Sequence, residues 1–301
     1  MNKGYVYVLI CYALIGVSYP IAKNVMDQIP TWFFTCATMG IGALLLLPFS
    51  LKFDRGVLAN LSFRDWVTIC IQSLLGSVLY TIFLLYGMTS STAVMASIFT
   101  SITPVFVVIL SAVFLGEALS LRKLAAIAMA IAGVMLLTMP TSDASGANTG
   151  IGVLLLLLSS LSSGFYVIAA KKLNVSMPPA TTAFGVCATG TIFTFPMAIA
   201  ESRTIDFAAI MTVGNATTVL VYALFSWAIA SWLFFAGVTR IPASATGMAF
   251  AVTPLTATFF STVFLGESLS VYSCTALVMV VASIFLVESN GKRHAGVATA
   301  A

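Results

Sequence analysis

Charge is what this sequence has least of. Asp, Glu, Lys and Arg make up 7% of the 301 residues, hydrophobic residues 60%, and the mean hydropathy is +1.09. A soluble globular chain carries about 25% charged residues, and one this poor in charge exposes an apolar surface that aggregates. A soluble fold is excluded on that ground. Histidine is nearly missing too: the single one, His294, lies in a basic tail beside Lys292 and Arg293. The five cysteines (Cys11, Cys36, Cys70, Cys187 and Cys274) form no C-x-x-C pair and sit inside apolar runs, where they read as small apolar fillers. No G-x-x-x-x-G-K-[ST] loop occurs, so the chain alone is not an ATP-driven pump.

Long apolar runs are what it has instead, as in Trp32–Leu51, Gly150–Ala170 and Ser270–Val287. A spanning segment in lipid must satisfy its own backbone, which leaves helices or closed barrels. Barrel strands alternate apolar and polar over about ten residues, whereas these runs are continuous and of helical spanning length, about 20 residues. Ten spans follow, approximately 4–22, 32–51, 66–87, 91–115, 121–139, 150–170, 180–200, 216–237, 242–265 and 270–287. The first resembles a signal peptide but is long and lacks a small-x-small cleavage site, so it is read as the first helix.

Basic residues orient the spans, because Lys and Arg are retained on the cytoplasmic side. With the N-terminus inside, the outer segments hold only Lys23 and Arg203 of the 13 basic residues. Both termini are then cytoplasmic. An internal repeat also appears. At an offset of 150 residues, Gly87, Thr89, Ala93, Thr103, Pro104 and Ser111 recur as Gly237, Thr239, Ala243, Thr253, Pro254 and Ser261. The run V-F-L-G-E occurs at 113–117 and again at 263–267, and Leu119 and Ser120 return as Leu269 and Ser270. A weaker match sets Gly16, Ala22 and Lys23 on Gly164, Ala170 and Lys171. Five helices per half is an odd number, so the second copy enters the membrane from the opposite side. The expected fold is all-α: ten transmembrane helices as two inverted five-helix repeats, residues 1–140 and 141–301.

The membrane core of the spans holds no Asp, Glu, Lys, Arg or His; Arg122 and Lys123 lie in the first turn of the fifth span, at its end. Such a charge costs at least about 2.5–3.5 kcal/mol at bilayer depth, and proton relays accept that cost for function. Hydrolysis in the membrane needs paired carboxylates, a metal cluster or a Ser/His arrangement, so no enzyme, catalytic residue, cofactor or metal is expected. Pro104 and Pro254 fall near the middle of the fourth and ninth spans, freeing the carbonyls of Thr100 and Phe250. The plain reading is a kink satisfied by nearby hydroxyls; matched positions in both halves favour a pair of hinges beside a central site. Gly116 and Gly266 suit left-handed helix ends and Ser120 and Ser270 suit N-caps, with Glu117 and Glu267 near the start of the helix that follows. Gln72, Gly76 and Tyr80 recur at four-residue steps on one face of the third helix, and their repeat mates are Tyr222, Ser226 and Ala230. Small residues on such a stripe also serve packing. The candidate solute-binding residues are Tyr12, Gln72, Tyr80, Phe99, Tyr166, Tyr222, Trp227, Thr246 and Met248, with Tyr19 in the same wall.

Ten helices in two repeats, Lys23 after the first helix, and the twin T-P…F-L-G-E motifs resemble the drug/metabolite transporter superfamily, specifically EamA-type exporters. The resemblance covers essentially the whole chain and is greatest to YddG-type exporters, which implies aromatic or other neutral amino acids as solutes. It also implies a central cavity among helices 1, 3, 4, 6, 8 and 9, with helices 5 and 10 peripheral. Some members carry Trp-Gly in helix 1; here the pair is Ile15-Gly16, so the role of that Trp does not carry over. The expected activity is export of small neutral or zwitterionic solutes by alternating access through an uncharged cavity, without obligate proton coupling. The expected setting is the cell membrane, the inner membrane in a bacterium, as a monomer with no nucleic-acid partner. The rival is a non-transporting membrane sensor or scaffold; nucleosides, drugs or other metabolites are rival solutes.

Overall fold

The computed structural model describes residues 3–54, 56–100, 102–115, 120–138, 150–173, 177–203, 212–238, 240, 252–267 and 269–288. Among the described residues every regular element is helical. The helices are α1 (Lys3–Lys23), α2 (Thr31–Phe53), α3 (Phe63–Thr89), α4 in two pieces (Ala93–Thr100 and Thr103–Leu115) and α5 (Leu121–Thr138). The second half supplies α6 (Gly150–Leu173), α7 (Pro179–Ser202), α8 (Val213–Val238), α9 (Val252–Leu265) and α10 (Val271–Glu288). They follow the ten apolar runs of the sequence. Six of these segments, on α1, α2, α3, α4, α7 and α8, are each long and apolar enough to cross a hydrocarbon core. Leu44, Val113, Ile192, Phe264 and Val278 stand exposed on the outside, where lipid is their natural solvent.

Packing follows the repeat. α2 lies against α7 and α5 against α10, while α1 is held by α8 and α9 as α6 is held by α3 and α4. The first helix of each half is thus gripped by the third and fourth helices of the other. Glycines make the grip possible. A Cβ on Gly87 would lie 2.7 Å from Leu156 of α6, and one on its repeat mate Gly237 would lie 2.6 Å from Val8 of α1. Gly164 meets Phe106 and Leu110 of α4 in the same way, and its mate Gly16 runs against Thr253 and Thr256 of α9. Small residues let membrane helices approach this closely, which explains why these glycines recur.

Three irregularities shape the interior. α3 contains a π-helical segment, Leu74–Leu79, and α8 contains another, Ala223–Ile229, at the repeat-equivalent place. Such wide turns leave the normal hydrogen-bond ladder and are frequent at functional sites. α4 is interrupted between Thr100 and Thr103. Pro104, expected near the middle of a continuous helix, is the second residue of the second piece, where its missing N–H is no loss. The freed Thr100 carbonyl accepts a hydrogen bond from Thr103 Oγ1 at 2.7 Å. Pro254 likewise stands in the first turn of α9; Phe250 lies outside the described residues.

The punctuation between α9 and α10 is as expected: Gly266 has φ 64°, and Ser270 Oγ accepts from Ser273 N at 3.0 Å. Glu267, four residues before α10, also serves α4: its carboxylate accepts from Ala93 N at 2.9 Å, at the positive start of that helix. Gly116 and Glu117 lie outside the described residues.

Gly16→Val is expected to destabilise the fold by about 1–3 kcal/mol through overpacking. Gly150→Ala, where a Cβ meets nothing within 4 Å among the described residues, is expected to stay within about 0.5 kcal/mol. Thermal unfolding in detergent compares them, and equal midpoints would refute the close α1–α9 approach.

Candidate functional site

A cavity of about 150 Å³ opens between α1, α3, α4, α6 and α8, with Val186 of α7 and Thr253 of α9 at its edge. Its wall is aromatic and hydroxylic. Tyr12 and Tyr19 come from α1, Tyr80 from α3, Tyr166 from α6, and Tyr222, Trp227, Phe234 and Phe235 from α8. Ser18, Ser77, Thr100, Thr103, Ser163 and Ser226 supply hydroxyls between the rings. No carboxylate, ammonium, guanidinium or imidazole is among these lining groups.

The irregular helices put these groups in place. In the π segment of α3, Gly76 leaves room for the Tyr166 ring, which a Cβ there would meet at 2.5 Å. A run of serines on α6 adds hydrogen bonds to carbonyls in and beside the irregular turns. Ser162 Oγ donates to Leu75 O at 2.7 Å, Ser159 Oγ to Tyr80 O at 2.9 Å, and Ser160 Oγ to Phe99 O at 3.1 Å. Trp227, in the π segment of α8, packs over Gly42 of α2, and its Nε1 donates to Thr38 Oγ1 at 3.2 Å.

Hydroxyls then link across the cavity wall. Tyr19 Oη lies 2.5 Å from Thr100 Oγ1 and 3.0 Å from Tyr80 Oη. Ser226 donates to Ser18 from the opposite wall.

The Lys23 end of the cavity is bordered by several tying contacts. Lys23 Nζ donates to Met88 O at 2.6 Å, and Met88 and Ala22 line the cavity beside it. Val25, Met26 and Ile29, between α1 and α2, fold into the core at the same end. Asn215 Nδ2 donates to Gln28 Oε1 at 2.9 Å, and Glu201 accepts from Phe33 N at 3.0 Å. Residues 241–251, which precede α9, lie outside the described residues.

The sequence matches the EamA-like transporter family over residues 2–139 and again over 150–289. The chain belongs to the EamA-like transporter family. It is a multi-pass membrane transporter of small solutes. It is 28% identical over 288 residues to the uncharacterized transporter YetK of Bacillus subtilis (strain 168), a match covering 94% of this chain and 86% of that one. With the uncharacterized transporter YvbV of the same organism it shares 26% identity over 278 residues, 92% and 88% of the two chains. A solved crystal structure shares the fold, with a TM-score of 0.71 at 18% identity over 97% of this chain and 99% of that one.

In this EamA-like chain the residues singled out from the sequence divide cleanly. Tyr12, Tyr80, Tyr166, Tyr222 and Trp227 meet at the cavity, together with Tyr19. Gln72 and Phe99 are not among its lining groups. Gln72 lies two residues before the π segment, and the wide turn rotates Gly76 and Tyr80 away from the face it shares with them in a regular helix. It is buried, and its Oε1 has no hydrogen-bond partner. Phe99 precedes the break in α4 and is fully buried in the main hydrophobic core. Thr246 and Met248 lie outside the described residues. Sequence reasoning missed Ser18, Thr100 and Ser163. The signal for the α6 groups was there in S-S-L-S-S at 159–163, a polar cluster inside a leucine-rich run.

Gly76→Ala is expected to cost about 1–3 kcal/mol, as overpacking against Tyr166. In a Tyr166→Ala background the same change is expected to cost under about 0.5 kcal/mol, because the ring is gone. Thermal unfolding of the four proteins of the cycle measures this; equal costs in the two backgrounds would remove the contact from the account.

Proposed function

We propose that this transporter exports aromatic or other neutral amino acids and related zwitterions, by alternating access through the described cavity. The observation that carries the reading is the wall itself: aromatic rings and hydroxyls with no fixed charge, around about 150 Å³. An apolar cavity of about that size takes a molecule like benzene, so one aromatic side chain suits it. A nucleotide sugar would bring phosphates that ask for cationic partners, and the lining has none. Coupling to protons also lacks a usual carrier there, since no carboxylate or imidazole faces the cavity among the described residues. Transport is therefore facilitated. In proteoliposomes, counterflow of labelled tryptophan or phenylalanine is expected to be saturable and to change less than about twofold when a proton gradient is imposed. Uptake that appears only with the gradient would falsify facilitated transport, and absence of any flux would favour a sensor or scaffold.

The Lys23 end is the extracytoplasmic gate in this reading, following the orientation that the basic residues favour. Two opposite charges hold the turn between α3 and α4. Lys23 binds the last carbonyls of α3 through Met88 O, and Glu267 binds the first amide of α4 through Ala93 N. Each charge sits at the helix end whose dipole it complements. Opening outward breaks both bonds, and the paired π segments of α3 and α8 are where those helices bend. Lys23→Met or Glu267→Gln is expected to raise labelling of Cys11 by an impermeant maleimide from outside by about tenfold, equivalent to ~1.4 kcal/mol. Cys11 lines the cavity, and the assay uses a chain whose other four cysteines are replaced. Unchanged labelling in both variants would show that these bonds do not gate.

A further inference from the structure

We infer that Tyr80 Oη is the point at which the cavity recognises an ammonium group, because it heads a hydroxyl relay polarised toward the backbone of α4. The inference rests on reading this cavity as the solute site. Each hydroxyl has one proton to give. Thr100 Oγ1 lies 2.9 Å from Ala96 O and 3.2 Å from Ser97 O, and carbonyls only accept. Its proton is used there, so at 2.5 Å from Tyr19 Oη it must accept. Tyr19 then has no proton left for Tyr80, 3.0 Å away, and accepts from it. The relay runs from Tyr80 to Tyr19 to Thr100 to a backbone carbonyl. Tyr80 keeps only an acceptor for the cavity.

Two further observations favour this direction. The first piece of α4 ends at Thr100, and a helix C-terminus carries partial negative charge. Hydroxyl dipoles pointing their hydrogens at that end are favoured, and each bond strengthens the next, leaving the oxygen at the head electron-rich. The opposite wall is polarised in the same sense: Ser18 Oγ donates to Leu14 O at 2.8 Å and accepts from Ser226. Exposure agrees as well. Tyr19 and Thr100 are 2% and 4% exposed, whereas Tyr80 is half-buried.

A wall whose protons are drawn into backbone carbonyls accepts hydrogen bonds. It suits a cationic donor, and the faces of the surrounding tyrosines and Trp227 add cation–π attraction without a fixed counter-charge. Ser77 and Ser163 line the same cavity outside both relays, and their hydroxyls remain to donate to a carboxylate. The ligand class is a compound with a free ammonium on an aromatic body, with a carboxylate as a secondary feature.

Three probes with one indole separate the parts: L-tryptophan, tryptamine (ammonium only) and indole-3-propionate (carboxylate only). Thermal stabilisation of the full chain in detergent reads their affinities. Tyr80→Phe is expected to weaken tryptophan and tryptamine by about 10- to 100-fold, the range of a hydrogen bond to a charged group, and to leave indole-3-propionate within about twofold. Tyr19→Phe, which frees the Tyr80 proton to face the cavity, is expected to give the same selective loss should Tyr80→Phe not fold. Thr100→Val keeps the shape, removes the last hydroxyl of the relay and is expected to lower the preference for tryptamine over indole-3-propionate. Loss confined to indole-3-propionate, or equal loss for all three, would overturn the relay direction while leaving the cavity as the solute site. If no probe stabilises the native chain, the amino-acid reading itself falls, and the inference with it.

Discussion

A peptide carbonyl that loses its amide partner inside hydrocarbon has no water to turn to, and each such group costs several kcal/mol. The interior of this transporter is arranged around that constraint. Its cavity needs helices that leave the regular ladder, and every departure has to be repaired from within the protein. α6 contributes most of the added hydrogen bonds beside those departures: Ser159, Ser160 and Ser162 reach Tyr80 O, Phe99 O and Leu75 O across the interface. Thr103 repairs the break in α4 from its own chain. With those hydroxyls in place, the wide turn of α3 is tolerable, Gly76 faces Tyr166, and a cavity forms where a regular helix would close it. The π segment of α8 is held more loosely. Ser231 Oγ reaches Ser226 O at 3.5 Å, and Cys187 Sγ makes only a 3.9 Å contact with Trp227 O. Among the described residues, α3 thus has the better-satisfied wide turn of the two.

Charge obeys the same rule by staying at the ends. The described ionic side chains that tie helices together sit at helix termini, each at the pole it complements. Asp54 accepts from Thr181 N and Oγ1, both at 2.7 Å, at the start of α7; Glu201 caps α2 and Glu267 caps α4. Each of these carboxylates comes from one half of the chain and caps a helix of the other. They register the two halves against each other without placing a charge at membrane depth.

Much of the architecture was legible because length and apolarity are one-dimensional properties. Ten runs map onto ten helical segments, and Gly87 and Gly237 announce by recurrence a contact they make in space. The aromatic wall was legible too, since Tyr12, Tyr80, Tyr166, Tyr222 and Trp227 are large polar-tipped rings with little reason to face lipid. Gln72 and Phe99 escaped because stripe reasoning assumes a constant helical period, which the wide turn in α3 and the break in α4 do not keep. Nothing in L-L-G-S-V-L marks a π segment by itself. The bond of Glu267 to the start of α4 was not legible for a related reason: sequence order points to α10, whereas the fold also brings α4 to it.

The repeat gives this fold its frame, yet the chemistry of the cavity comes from where the two copies disagree. Gly76 has Ser226 as its mate: the first admits the Tyr166 ring, and the second donates to Ser18. Ser77 has Trp227, so one wall offers a hydroxyl where the other offers a ring. Tyr80, half-buried at the head of its relay, faces across the repeat to Ala230, which has nothing to donate or accept. Twofold-related helices with identical residues would surround a symmetric cavity and distinguish the two ends of a solute poorly. These unmatched pairs make the two sides of the wall chemically unlike. Identity between the halves serves close packing, as at Gly87 and Gly237, and divergence between them sets the asymmetry of the cavity wall.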